Sequence, residues 1–177
     1  MSCHNFINSR EDVPLCIALQ TLKNEHGPLN DQKFALFQEA STILEITSEK
    51  EKLTRLQMLR SQAFLFFESL ESHAEKEEEC LFTMMAAYIN RHEGPLAVME
   101  YEHHEAKRCM TMFLTNTESL DTIVTLDAIN TQCHLVIEAY HILTSHFLKE
   151  EQVLFPMAEN LLSDEEKNRL LDFVHPS

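Results

Sequence analysis

An all-α fold, an up-down-up-down four-helix bundle followed by a short C-terminal helix, is what three observations in this sequence predict. Apolar residues recur at helical spacing through four long stretches joined by mostly short connections. Only 2 glycines and 5 prolines punctuate 177 residues, too few for a turn-rich β protein. A ten-residue motif occurs twice, 73 residues apart, as two copies of one αα-hairpin would require.

Residues 14–47 form the first predicted helix, with Leu15, Ile17, Leu19, Leu22, His26, Leu29, Phe34, Leu36, Phe37, Ile43 and Leu44 along its stripe. Gly27-Pro28 predicts a kink or short break just after His26, because proline removes one backbone bond and crowds the preceding turn. Ser48-Glu49-Lys50-Glu51 is a capping box that starts the second helix, which carries Leu53, Leu56, Leu59, Phe64, Phe67, Leu70, His73 and Glu77 to about Asn90. Residues 91–95 turn the chain into a third helix at about 96–116. The stretch 117–127 reads as a loop, and a fourth helix follows at about 128–155, limited or kinked by Pro156. A second capping box, Ser163-Asp164-Glu165-Glu166, opens the final helix, to about Val174. No linker or composition shift divides residues 1–177, so they read as one domain with its bundle core at about 14–160.

The totals exclude several classes of function. With 29 acidic against 14 basic residues the net charge is −15, which repels phosphate backbones and anionic lipid. No stretch approaches the roughly 20 apolar residues of a membrane span. The N-terminus has neither a basic start nor an apolar run of signal-peptide length. The 5 cysteines include no Cys-x-x-Cys pair and fit a reducing compartment. A cytoplasmic protein without nucleic-acid or membrane partners is expected.

The repeated motif is His73-Ala-Glu-Lys-Glu-Glu-Glu-Cys-Leu-Phe82 and His146-Phe-Leu-Lys-Glu-Glu-Gln-Val-Leu-Phe155, identical at 6 of 10 positions. Each copy places an imidazole and, four residues later, a carboxylate (Glu77, Glu150) on one helix face. Each half also has an upstream histidine, His26 and His103. His26 lies 22 residues before Ser48 and His73 lies 25 after it, while His103 and His146 lie 21 and 22 either side of position 124. At about 1.5 Å per residue these mismatches are less than one helical turn, so antiparallel neighbours bring both pairs level. Helix two, continuing some 15 residues past the His73–Glu77 midpoint, fits less well and should overhang or fray.

Four imidazoles and two carboxylates suit first-row metals, with carboxylates able to bridge two cations and positions left open for a small ligand. One His–Glu pair alone is more often core histidine and solvated glutamate; a duplicated pair with partners in register favours metal. His104, about 100° round the helix from His103, is the substitute if the register is off by one. His141 reads as packing or surface, and His4, His92, His134 and His175 lie in terminal, turn or peripheral places and are not expected as ligands. Glu78 and Glu151 are expected to face solvent, and Cys80 and Met84 to continue the ligand face. Glu100-x-x-His103 and Glu138-x-x-His141 match a ferritin-type element, but on adjacent helices, and that reading strands His73, Glu77, His146 and Glu150.

The order His…His-x-x-x-Glu…His…His-x-x-x-Glu, with Glu-Glu-x-x-Leu-Phe after the fourth histidine, resembles the hemerythrin-like (HHE cation-binding) family. The resemblance covers roughly residues 15–160, and the stretch from His146 to Pro156 is its most specific part. It implies a four-helix bundle around two non-haem iron ions, oxo- or hydroxo-bridged. The implied ligands are His26, His73, Glu77, His103, His146 and Glu150, with both glutamates bridging. Oxygen-carrying members have a His-x-x-x-His pair on the third helix, whereas here Lys107 follows His103 at that spacing and Arg108 follows His104. The site is therefore more similar to four-His, two-Glu di-iron proteins linked to nitric oxide response and iron–sulfur repair, although no counterpart of their N-terminal cysteine module is expected. The implied ligand is O2 or NO, and the implied role is binding or reaction with O2, NO or peroxide in sensing, storage or stress protection. The alternative is a non-enzymatic regulatory or interaction module that responds to iron or oxygen. A single structural zinc is a third reading, which the two carboxylates disfavour.

Overall fold

Five helices account for most of residues 14–119 and 125–175, which the computed structural model describes; no strand occurs among them. They are α1 (Ile17–Glu45), α2 (Glu49–Lys76), α3 (Pro95–Asn116), α4 (Leu126–Lys149) and α5 (Asp164–Val174). Beyond Lys76 the chain makes one π-helical turn, Glu77–Leu81, and a last α turn, Phe82–Met85. Beyond Lys149 it does the same, through Glu150–Leu154 into Phe155–Leu161.

Local chemistry explains most of these limits. The Ser48 hydroxyl accepts the Glu51 N–H at the start of α2, and at Ser163 both halves of the reciprocal box with Glu166 form. Gly94, at φ 70°, turns the chain, and Pro95 then opens α3, where its missing N–H costs nothing. The break expected at Gly27-Pro28 does not occur, and α1 runs through both residues. Pro28 and Asn24 are exposed, so water can serve the Asn24 carbonyl that Pro28 cannot. Pro156 likewise does not end α4's continuation. It lies in the first turn after a π turn, where the backbone register has already changed.

The long helices pack side by side, α1 against α2 and α4, and α3 against the same two, an arrangement consistent with a four-helix bundle. The predicted stripes are correct in the main, with local slips. Ile17 is exposed and Phe34 and Phe64 lie half exposed, while Ala63 and Phe66 take the buried positions on α2. Two apolar clusters divide the interior. One holds Leu29 to Ile43, Leu56 to Leu70, Ala106 to Phe113 and Ile129 to Phe147. The other joins Leu19 and Leu22 to Leu81, Phe82, Leu96, Met99, Leu154 and Phe155, closed by Leu170 and Val174 of α5. The overhang of helix two is thereby accounted for, because its last turns pack in the α5 cluster. Lys52 is buried and fastens the far end, donating to the Leu44 carbonyl at 3.3 Å and Asn130 Oδ1 at 2.7 Å. Between the clusters lie six buried polar residues, His26, His73, Glu77, His103, His146 and Glu150.

Candidate metal centre

His26 sits in the gap between Leu22 and Leu29, and His103 between Met99 and Ala106. His73 and Glu77 fall between Leu70 and Cys80, and His146 and Glu150 between Leu143 and Leu154. All six are buried, Glu77 and Glu150 completely. They form two groups able to hold an ion, His26–His73–Glu77–Glu150 and Glu77–His103–His146–Glu150, with ligand atoms in each within 4.8 Å of one another. Both glutamates belong to both groups.

The carboxylates divide their oxygens between the groups. Glu77 Oε1 lies 3.6 Å from His73 Nε2, and its Oε2 lies 3.4 Å from His103 Nε2. Glu150 Oε2 lies 3.2 Å from His26 Nε2, and its Oε1 lies 2.9 Å from His146 Nε2. Among the described residues no hydrogen-bond donor of acceptable geometry reaches any of these four oxygens. Two buried carboxylates without donors are costly unless cations compensate them, and the donor set therefore fits metal ions.

Every imidazole is oriented from behind. His26 Nδ1 pairs with Glu151 at 2.8 Å, His73 Nδ1 with Glu25 at 2.8 Å, His103 Nδ1 with Glu78 at 2.7 Å and His146 Nδ1 with Glu102 at 3.2 Å. An Nδ1–H donated to a carboxylate leaves the Nε2 lone pair facing inward, the form a metal requires. The inward nitrogens of His26 and His73 stand 3.2 Å apart. Glu78 and Glu151 thus do not simply face solvent. From within the π turns they reach across to α3 and α1, and each remains only about one-third exposed (32% and 31%). Glu25 and Glu102, which directly precede His26 and His103, orient the histidine of the neighbouring helix, a role that helix-face reading of a single helix does not reveal.

The two π turns were also missed from the sequence. Phe82 N–H donates to the Glu77 carbonyl and Phe155 N–H to the Glu150 carbonyl, five residues back in each case. Single π turns occur often at functional sites. Here the extra residue rotates Phe82 onto His103 (ring centroids 5.6 Å) and Phe155 onto His26 (5.7 Å). Cys80 and Met84 lie in the α5-side cluster, and Phe82 of the same cluster stacks on His103. The only sequence signal was the Glu-Glu-x-x-Leu-Phe run shared by both copies.

Electrostatics follow from this arrangement. Burial opposes charge on His103, but the nearness of Glu77 and the bond to Glu78 win, raising its pKa to about 9. Burial likewise opposes His73 and His146, whose pKa values rise because of Glu77 and Glu25, and Glu150 and Glu102. Burial would raise Glu78, yet hydrogen bonds from His103 and Lys107 bring it to about 2. Glu150 is held far below the carboxylate range, the charge of His146 overcoming burial.

Residues outside the six stay outside. His104 is 74% exposed, which leaves His103 as the inward residue. His141 is exposed and packs edge-on to Phe37, Glu100 pairs with Arg91 and Glu138 lies near Arg108. His4 lies outside the described residues. Tyr88 donates to Glu166, and no tyrosine among the described residues bonds to the six. No described helix is long and apolar enough to cross a membrane.

Fold and site define a class: an all-helical protein whose polar centre is equipped for metal. Residues 18–167 match the Hemerythrin HHE cation binding domain, and the chain belongs to that family, which implies an iron site. The chain is similar to the iron-sulfur cluster repair protein YtfE of Musicola paradisiaca (strain Ech703), at 35% identity over 104 residues, covering 56% of this chain and 46% of the relative. It is similar to YtfE of Escherichia coli O157:H7 at 28% identity over 138 residues, covering 75% and 60% respectively. The chain thus spans about half the length of the curated relatives it matches.

Proposed function

We propose that this chain is a single-domain, up-down-up-down di-iron protein that binds or reacts with NO, O2 or peroxide in stress protection. His26 and His73 would hold one ion and His103 and His146 the other, with Glu77 and Glu150 available to both. The observation that carries this reading is the pair of fully buried carboxylates, without hydrogen-bond donors among the described residues, each presenting one oxygen to each histidine pair. When bound, the irons supply open coordination positions and one-electron chemistry toward a diatomic ligand. Six protein ligands cannot saturate two ions.

The chain's own residues do the rest. Four carboxylates fix the imidazole tautomers, and Phe82, Phe147 and Phe155 stack on His103 and His26 to keep water from those faces. Likeness to iron-sulfur cluster repair proteins favours repair of such clusters under nitrosative or oxidative stress as the physiological setting. Placement in the cytoplasm belongs to the same reading; Cys16, Cys80, Cys109 and Cys133 are all free thiols.

Metal analysis after anaerobic, iron-replete production tests the proposal. About two irons per chain are expected, with visible bands that change on adding NO or O2. Iron near zero overturns it.

A further inference from the structure

The two halves of the centre match at the six central residues and at the four carboxylates that orient the histidines, and differ in part behind those. We propose that the two iron positions are unequal, and that the one held by His26 and His73 is the exchangeable position, loaded and emptied through the groove between α1 and α2. The inference rests on the di-iron reading above.

Three observations point to the same half. The first is the set of lysines behind the orienting carboxylates. Glu25 receives Lys76 at 2.6 Å, Glu78 receives Lys107 at 2.9 Å, and Glu102 receives Lys149. Three His–Glu–Lys chains are therefore pinned at both ends. The fourth is held more loosely: Glu151, which orients His26, receives no lysine hydrogen bond among the described residues and has Lys23 at 4.0 Å and the more distant charge of Lys33. The internal repeat shows the cause, because Lys107 stands four residues after His103 and Asn30 stands four after His26. A carboxylate held by its imidazole and one long ion pair restrains that imidazole less than one pinned at both ends, and such partners set metal affinity, their outright loss typically costing 10–100-fold.

The second is access. A groove of about 460 Å³ between α1 and α2 reaches His73 and is lined also by Glu25, Gln32, Glu68, Ser72 and Lys76. Gln32, Glu68 and Ser72 offer oxygen atoms, which suit a hydrated divalent cation in transit. At the repeat-equivalent places of Gln32 and Glu68 the second half has Cys109 and His141, which supply no oxygen ligand, and only Ser72 keeps a hydroxyl counterpart, Ser145.

The third is charge. Lys33 is buried with no hydrogen-bond acceptor among the described residues, its ammonium 4.8 Å from the centre of the Phe147 ring. That ring stacks on His26 at 4.3 Å. The repeat-equivalents of Lys33 and Phe147 are Met110 and Ala74, so this cation backs one half alone. A positive charge behind His26 opposes a cation in front of it.

The test is anaerobic release of Fe²⁺ from the full chain, loaded to two equivalents and challenged with excess bipyridine. One equivalent should leave at least about tenfold faster than the other. Asn30→Lys, which supplies the missing ammonium, should slow the fast phase about tenfold, and Lys107→Asn should accelerate the slow phase by a similar factor. Thermal melts of the loaded proteins check that both variants are folded, and either variant suffices to judge the idea. Release in one phase, or a fast phase that Asn30→Lys leaves unchanged and a slow phase that Lys107→Asn leaves unchanged, overturns the inequality. Failure to load two equivalents instead defeats the di-iron reading itself, a result distinct from one-phase release of two.

Discussion

The two helical pairs of this protein present the same chemistry inward and different chemistry outward. Residues His26, His73 and Glu77 correspond to His103, His146 and Glu150, and even the flanking Glu25, Glu78 and Phe82 have counterparts in Glu102, Glu151 and Phe155. Further out the likeness is partial: Lys76 still corresponds to Lys149, but Lys33 corresponds to Met110, Asn30 to Lys107 and Phe147 to Ala74. The lesson is that geometry around a metal tolerates few residue types, whereas the layer behind it needs only volume and charge balance. That freedom is what allows a symmetric ligand set to have unequal halves.

The shared part of the centre is where the largest effect is expected. Glu150→Ala should remove both metals, since both groups use this residue, while His26→Ala should remove one and His141→Ala none. Metal-to-protein ratios check this, and two metals retained by Glu150→Ala would refute bridging. Next in size is the carboxylate layer. Glu78→Gln should weaken binding about 10–100-fold and Glu151→Gln less, because Glu78 is pinned by Lys107 and Glu151 is not. Competition with a metallochromic chelator measures both.

Protons compete for the same nitrogens. His103, with its pKa raised from 6.5 to about 9, stabilises the metal-stripped protein fully below pH 6.5, and that contribution disappears as pH rises through about 9. Metal affinity should run the opposite way and increase across the same window, with protons released on binding. Calorimetry in buffers of different ionisation enthalpy checks the release; none at pH 7 would contradict it.

Lys33 sharpens the comparison of halves through stability. Burial lowers its pKa from 10.5 to about 8, against the field of Glu151. The unfolded chain then binds more protons than the folded one between those values, so stability should rise with pH there. Lys33→Met, which copies Met110, should stabilise the protein by about 1 kcal/mol at pH 7. The gain should vanish near pH 10.5, as urea melts at several pH values would reveal. The smallest effect separates the two caps. Ser163→Ala should cost about 1 kcal/mol and Ser48→Ala less, since only Ser163 forms both bonds of the box.

Periodicity and one repeated motif determined the helices, their order and the six central residues. Those features are local or depend on length along a regular rod, and a sequence states both directly. Even the register of His26 with His73 needed only residue counts and the rise of an α-helix. Contacts across helices were another matter. That Glu78 turns to His103 and Glu25 to His73 depends on where a neighbouring helix lies, and no spacing within one helix encodes it. The π turns at Glu77 and Glu150 were hidden because a 3.6-residue period carries no mark of one added residue. The uninterrupted path of α1 through Pro28 depended on which side met water. The tertiary structure alone decided the partners behind the site, because energies between helices are set by packing distance rather than by sequence separation.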